Sequence, residues 1–476
     1  METVTKPVTT VTPTRGPAPL VFDADLVRKY DGFGPRYTSY PTADRFHARF
    51  TGADYRESLL RRTRERPTQP LSLYVHVPFC NTICYYCGCN KIVTNNQSHA
   101  TRYVEYVIRE IERVAALVSP AAPVSQLHFG GGTPTFLTPD QMSAIMNALH
   151  RDFRFADDTE TSIEVDPRKV DRERVRFLAD LGFNRISVGV QDFDPDVQIA
   201  VNRIQSEEVT RAVIDAAREF GFLSVNVDLI YGLPRQTQAG FARTLAKVVN
   251  ASPDRIALYS YAHLPHLFKS QKQIVPEELP APEAKLQILA LAIDTLARAG
   301  YLYIGMDHFA KPHDELAIAQ RQGKLHRNFQ GYSTRPDCDL LAFGISAIGK
   351  VGNVYAQNAK TLDEYYARLD ADELPIVRGI ALDADDEARR TTIQRLMCDF
   401  ALDLDAVEAA TGIDFHDYFA PELEALEPLA ADGLVEVSED SIVVTPRGRM
   451  LVRNVAMLFD KRLREAKEMR RYSRVI

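Results

Sequence analysis

Cysteines are scarce in this chain, and none of its apolar runs is long. Six cysteines in 476 residues, with no secretory leader at the start, exclude the disulfide framework of a small secreted domain. No apolar run reaches the roughly 18 residues that cross a bilayer, so no membrane span is expected. Met1 to Pro19 is rich in Thr and Pro and lacks an apolar segment, which reads as a disordered lead-in. Together these absences point to a cytoplasmic protein with reduced thiols. Acids outnumber bases, 64 to 57, and the net charge of -7 argues against a nucleic-acid partner. Residues 401–440 hold twelve Asp/Glu and no Lys or Arg, so a winged-helix outline there does not mean phosphate binding. A small anionic substrate is not excluded, because it needs only a local basic pocket. The stretch Arg447 to Arg474, with ten Lys/Arg against three acids, reads either as a solvated basic helix or as a positive wall near such a substrate.

Four of the six cysteines fall in ten positions, in Tyr74-Val-His-Val-Pro-Phe-Cys80-Asn-Thr-Ile-Cys84-Tyr-Tyr-Cys87-Gly-Cys89. Leu71 to Phe79 reads as a buried strand running into a loop. Cysteines spaced x3 and x2 converge on one centre. A zinc site on Cys80, Cys84, Cys87 and Cys89 is the plainer reading, but zinc ligands usually come as two separated pairs and no second pair exists here. An iron–sulfur cluster is favoured. Three thiolates on a cubane leave one iron open. Cys89 is then a fourth ligand, a redox or thiol participant, or a packed thiol, while Cys338 and Cys398 read as small buried residues.

Length calls for two domains. Tyr103, Val107, Ile111, Val114 and Val118 recur at helical spacing, and Thr138-Pro-Asp-Gln141 opens a further helix with a capping box. A helix, then Gly-aromatic, then a strand recurs at Gly182-Phe183, Gly221-Phe222 and Gly300-Tyr301, where glycine is the usual left-handed helix stop. Strands are predicted near 71–77, 125–129, 161–166, 185–190, 223–230, 255–261 and 302–306. This is serial β/α architecture with parallel strands curling into a full or partial barrel. Glu164, Asp166, Gln191, Asp228, Ala262-His263, Asp307-His308, the cysteine loop and Gly130-Gly131-Gly132 all fall at strand C-terminal ends, the face on which such barrels build active sites. Beyond about 365 the pattern turns helical, with a short hairpin at 434–437 and 442–444.

Cys-x3-Cys-x2-Cys after a first strand resembles the radical S-adenosylmethionine (SAM) superfamily. The fuller string through Cys89-Asn-Lys-Ile-Val resembles its oxygen-independent coproporphyrinogen III oxidase family. So do Arg36-Tyr-Thr-Ser-Tyr-Pro, Gly130-Gly-Gly-Thr-Pro-Thr, Ile163-Glu-Val-Asp-Pro, Gly189-Val-Gln-Asp-Phe, Asp228-Leu-Ile-Tyr-Gly-Leu-Pro, Gly305-Met-Asp-His-Phe-Ala and Ser473-Arg-Val-Ile. The resemblance implies an α/β fold: a partial (β/α)6 TIM-like barrel (51–364), an N-terminal arm (1–50) and a smaller, mostly helical C-terminal domain (365–476). It implies a [4Fe–4S] cluster on Cys80, Cys84 and Cys87. Tyr74, Gly131, Glu164 and Ile348 match positions contacting the cluster-bound SAM; Tyr86, Gly132, Thr133, Gln191, Arg203, Asp228 and Ala262 match positions contacting a second SAM. Glu164, Tyr74 and Cys89 are the catalytic candidates. The implied reaction turns two propionates of coproporphyrinogen III into the vinyls of protoporphyrinogen IX, using a 5′-deoxyadenosyl radical, in heme biosynthesis. Arg36, Arg203, His308 and Arg327 are candidate partners for the substrate carboxylates. A reducing electron donor such as flavodoxin or ferredoxin is implied, and a monomer is expected. The heme-chaperone branch of the superfamily is the rival reading. Its members lack the Cys89 position and the arm, and both are present here.

Overall fold

A computed structural model describes residues 20–335, 338–464, 472 and 474; the disorder expected for residues 1–19 lies outside the described residues. Six strands run parallel and pair in chain order: β1 (Leu71–Val77), β2 (Pro123–Gly131), β3 (Arg154–Val165), β4 (Arg185–Gln191), β5 (Ser224–Tyr231) and β6 (Arg255–Ser260). The main crossover helices are α1 (Gln97–Ala115), α2 (Pro139–Asp152), α3 (Arg172–Asp180), α4 (Glu207–Glu219), α5 (Gln238–Ala251) and α6 (Pro282–Arg298). The capping box Thr138/Gln141 forms as the sequence predicts. Gly182, Gly221 and Gly300 end their helices at φ of 93°, 81° and 84°.

The strands carry two faces with period two. Leu73, Val75, Leu127, Phe129, Ile163, Val188, Val227 and Ile256 point outward and are sealed under the helices. Their alternates, among them Gln126, His128, Glu164, Ser187, Asn226 and Asp228, line an interior cavity of about 160 Å³. The core therefore lies outside the strands, and the barrel lumen is polar.

The sheet continues beyond these six strands to twelve. β7 (Leu302–Gly305) and β8 (His308–Ala310) flank β6, and β9 (Asp339–Phe343), β10 (Ile348–Val351), β11 (Val354–Asn358) and β12 (Ile376–Ala381) flank β1. The order is β12-β11-β10-β9-β1-β2-β3-β4-β5-β6-β8-β7, so the barrel is partial. Two expectations need correction. The strand predicted at 302–306 does not join β6 directly: β8 inserts between them, antiparallel to both, because Gly305, Met306 and Asp307 reverse the chain with φ of 133°, 37° and 74°. The large sheet also runs on to Ala381, past residue 364, because β12 pairs with β11. Beyond it, helix Ala384–Asp399 leads into a small sheet in which the predicted hairpin (Val435–Val437, Ser441–Val444) gains a third strand, Ala401–Asp403.

The arm ties the two regions together. Asp23 caps helix Ala24–Tyr30 and pairs with Arg447 at 2.6 Å. The Tyr37 hydroxyl lies 3.0 Å from Asp460, and Arg36 reaches Asp307 at 3.0 Å beside the barrel mouth. No helix among the described residues is long and apolar enough to cross a membrane.

Candidate functional site

The cysteine loop is pinned where it leaves and re-enters the barrel. Two-residue strands Phe79–Cys80 and Ile92–Val93 pair in parallel, with Ile92 N–H donating to Pro78 O at 2.8 Å and Thr94 N–H to Cys80 O at 3.0 Å. Cys87 N–H donates to Cys84 O at 3.2 Å, which turns the loop back on itself. Each of the three sulfurs has its own neighbour. Thr133 Oγ1 donates to Cys80 Sγ at 3.5 Å. Arg203 Nη1 and Arg168 Nη2 approach Cys84 Sγ at 3.6 and 3.9 Å. Cys87 is drawn down to about 6, first by the Cys89 thiol that donates to it and then by Lys91, against its burial. Cys89 is held protonated by the same bond. Burial pushes Cys80 up to about 11.

This set fits an iron–sulfur cluster. Three thiols come from one fixed loop, and Lys91, Arg168 and Arg203 bring cationic charge against their thiolate forms. No three Cys, His, Asp or Glu among the described residues converge tightly enough for a single metal ion. A cubane instead takes one thiolate per iron corner.

Beside the loop, β2 ends in the triple glycine. Gly132 N–H donates to Val77 O at 2.8 Å and Thr133 N–H to Phe79 O at 2.9 Å. Gly131 sits at φ 114°, where a Cβ would lie 2.7 Å from the His76 ring; a Cβ on Gly132 would lie 2.8 Å from the Pro78 backbone. A side chain at either position would collide with its neighbours, so the strand end stays bare backbone.

Glu164, at the end of β3, accepts from Gly131 N–H at 3.1 Å and lies 3.4 Å from His128 Nε2. Burial works against its charge, but His128 and the Gly131 N–H outweigh it and hold the carboxyl below the usual range. It is deep in the barrel mouth, yet 45% of its side-chain surface faces the open lumen. Tyr74 stacks on His128 at 5.8 Å. His76 Nε2 donates to Asn90 O at 3.1 Å, so its Nδ1, 3.0 Å from the Tyr74 hydroxyl, is the acceptor; burial keeps this ring neutral.

The remaining residues form a second shelf across the lumen. Arg203 donates to Gly189 O at 2.7 Å and lies 3.5 Å from Asp166. Gln191, at φ 70°, closes β4 next to it. Asp228 accepts from Ser187 and Asn226 at 3.0 and 2.9 Å, and burial together with Glu164 raises it to about 6. The side-chain amide of Gln271 donates to both Tyr86 O and Ala262 O, at 3.0 and 3.2 Å, which joins Ala262 to the cysteine loop. Ile348 opens β10, two strands from β1, and its side chain packs against the cluster of Phe46 and Tyr355.

Of the carboxylate partners expected from sequence, His308 presents a neutral ring here: burial and then Arg327 push it down to about 4, and its Nδ1 donates to Met306 O at 2.7 Å. Arg36 is engaged with Asp307, and Arg203 with Cys84 and Asp166. Arg327 donates through Nε to Arg36 O at 3.3 Å and leaves Nη1 buried without a partner. Sequence reasoning missed Lys285. Its Nζ donates to Tyr261 O at 3.3 Å in a cavity of about 430 Å³ under the arm, and burial lowers it to about 8. His76 and His128 were missed too, although a histidine alternating with Leu or Val inside a buried strand is a readable signal of a polar lumen.

Residues 74–248 match the Radical SAM superfamily and residues 382–451 the HemN C-terminal domain. The chain is 50% identical over 455 residues to oxygen-independent coproporphyrinogen III oxidases of Salmonella typhimurium and Escherichia coli, covering 96% of this chain and 98% of each relative. It is 48% identical over 457 residues to the Pseudomonas aeruginosa protein of that name, covering 96% and 99%. The solved structure of coproporphyrinogen III oxidase (HemN) from Escherichia coli superposes with a TM-score of 0.89 at 49% identity, covering 94% of this chain and all of that one. With the cysteine loop, the glycine cradle and the partial barrel in place, these likenesses leave one assignment: the chain belongs to the oxygen-independent coproporphyrinogen III oxidase family of the radical SAM superfamily.

Proposed function

We propose that the protein converts coproporphyrinogen III to protoporphyrinogen IX without oxygen, by oxidative decarboxylation of two propionates in heme biosynthesis. The observation that carries this is the fixed loop of Cys80, Cys84 and Cys87 at the mouth of a polar barrel. These three thiolates would hold the [4Fe–4S] cluster, which with SAM supplies a one-electron cleavage that yields a hydrogen-abstracting radical. Arg168, Arg203 and Lys91 offset the negative charge of the thiolates. Gly131 lets the backbone approach one SAM, with Tyr74, Glu164 and Ile348 around it; the ionised Glu164 accepts hydrogen bonds from hydroxyl or amine groups. Tyr86, Gly132, Thr133, Gln191, Arg203, Asp228 and Ala262 frame a second SAM, one per propionate. Cys89 keeps its proton next to Cys87 and is placed to give or take a hydrogen. The arm, tied down through Arg36–Asp307 and Tyr37–Asp460, would shield the reacting carbons from water.

The substrate's carboxylates need cations, and among the described residues neither Arg327, with its buried Nη1 lacking a hydrogen-bond partner, nor Lys285, in the cavity under the arm, is paired with a carboxylate. The Tyr259 and Tyr332 rings, beside Arg36 and Arg327, supply flat walls for the macrocycle. The protein works as a cytoplasmic monomer and takes its electrons from a flavodoxin or ferredoxin. Incubation with coproporphyrinogen III, SAM and dithionite under anaerobic conditions tests the reading. It expects a tricarboxylic intermediate and then protoporphyrinogen IX. SAM turnover without either product would redirect the search to another substrate. The heme-chaperone alternative has no observation in its favour.

A further inference from the structure

Two segments remote in sequence press on the cysteine loop from outside. On one side Tyr85 N–H donates to Val201 O at 3.0 Å, Asn202 Nδ2 to Ile83 O at 2.8 Å, and Arg203 reaches Cys84 Sγ. On the other, Ser270 Oγ donates to Cys87 O at 2.8 Å, and the Phe268 ring covers Gly88, where a Cβ would stand 3.2 Å from it. The outward faces of these segments mix exposed polar side chains with large exposed apolar ones. Ile204 is 71% exposed, Ile199 56%, Leu267 55%, and Val93, at the end of the cysteine loop itself, 44%. Residues 80–93, 199–205 and 264–273 thus carry four of the ten large apolar side chains that the described residues expose.

Their charge is also one-sided. The same three stretches contain Lys91, Arg203, Lys269 and Lys272 and no Asp or Glu, in a chain whose net charge is -7. Lys269 and Lys272 are exposed. Exposed apolar side chains, with two exposed lysines on the same segment as Leu267, suit a short-lived encounter with an acidic protein. Electron-transfer contacts sit at the small end of interface sizes, and complementary charge raises their on-rate more than their lifetime. Only one event in the proposed chemistry requires a visiting protein: delivery of an electron to the group held by Cys80, Cys84 and Cys87.

We propose that the surface formed by Ile199, Ile204, Leu267, Lys269 and Lys272 docks a small acidic one-electron carrier protein over the cysteine loop. The proposal rests on the function given above. The carrier is oxidised by one electron and the cluster reduced by one, and no bond forms or breaks in the encounter. Isoleucine and leucine give a contact that excludes water over Cys84 and Cys87, and the lysines steer the acidic partner in.

The test uses the reconstituted holoenzyme and bacterial flavodoxin. Ile204→Glu/Leu267→Glu and, separately, Lys269→Glu/Lys272→Glu are compared with the wild type. Calorimetric titration with oxidised flavodoxin at low salt should show the Kd rising at least tenfold in both variants. Flavodoxin-driven product formation should fall by a similar factor, while dithionite-driven formation stays within twofold of wild type. Wild-type binding should weaken steeply between 50 and 300 mM salt (on the order of the Debye-length change). Unchanged flavodoxin affinity in both variants, or no affinity in the wild type, would overturn the proposal. So would a parallel loss of dithionite-driven activity, which would assign these residues to the cluster site instead. If the wild type made no product with dithionite, the proposed function would fail while the titration still judged the surface.

Discussion

Glu110 offers a prediction whose sign changes with pH. It sits on α1, fully enclosed, with no cation beside it. Its carboxylate accepts from Gly344 N–H at 2.8 Å, Asn358 Nδ2 at 2.7 Å and the Tyr365 hydroxyl at 2.5 Å. Next to it, Tyr103 donates to His76 O at 2.6 Å and accepts from Ile345 N–H at 3.1 Å. The group therefore locks the turn between β9 and β10 to the strand that carries Tyr74 and His76. Burial raises it from 4.5 to about 7, against three hydrogen bonds that pull the other way. The folded protein thus binds a proton that the unfolded chain has already lost above pH 4.5. Stability from this group is complete below pH 4.5 and is lost as pH rises to about 7, by about 3 kcal/mol at 1.36 kcal/mol per unit. Glu110→Gln removes the titration. Its amide opposes one of the three donors, at a cost of about 1–2 kcal/mol that does not depend on pH. The variant should be less stable than wild type at pH 5 and equal or more stable at pH 8. With an unfolding entropy of about 1 kcal/mol/K for a chain this long, the crossing amounts to a swing of about 3 °C in midpoint. Circular dichroism melts at the two pH values read it. A constant offset between variant and wild type would refute the reasoning.

Three shorter predictions follow from the site. Cys84→Ala should abolish SAM cleavage under dithionite, measured as 5′-deoxyadenosine; retained cleavage would remove this thiol from the cluster set. Gly131→Ala places a Cβ 2.7 Å from the His76 ring at a φ of 114°, a strain of about 1–3 kcal/mol, and should weaken SAM binding at least tenfold by equilibrium dialysis. Lys285→Met removes one charge-assisted hydrogen bond of about 1.5–3 kcal/mol and should raise KM for coproporphyrinogen III by about 10- to 100-fold with little change in kcat; an unchanged KM would place the propionates elsewhere.

The barrel was readable because its outward face is a run of Val, Ile and Leu at every second position, broken by helices that end in glycine. β1 lay where the pattern put it, at Leu71–Val77. β3 begins seven residues earlier than expected, at Arg154, because Ala156 to Glu160 is acidic and polar and carries no apolar alternation. β9 to β12 were missed: β9, β10 and β11 follow one another through short antiparallel turns with no helix between them to mark them off, and β12 also pairs antiparallel, outside the β/α series. The cysteine loop, the glycines and Glu164 were legible as strand-end residues. Lys285, Ser270 and Gln271 were not, because they reach the site from helix and loop positions with no local pattern. For His308 the sequence shows the ring but not the burial and the neighbouring Arg327 that keep it neutral.

The central claim is that Cys80, Cys84 and Cys87 alone hold the cluster and leave one iron for SAM. Mössbauer spectroscopy of the protein reconstituted anaerobically with iron-57 tests it directly. The account expects four irons per chain, one of which changes its isomer shift when SAM is added, in wild type and in Cys89→Ala alike. Four irons that ignore SAM, or a cluster lost with Cys89, would contradict it.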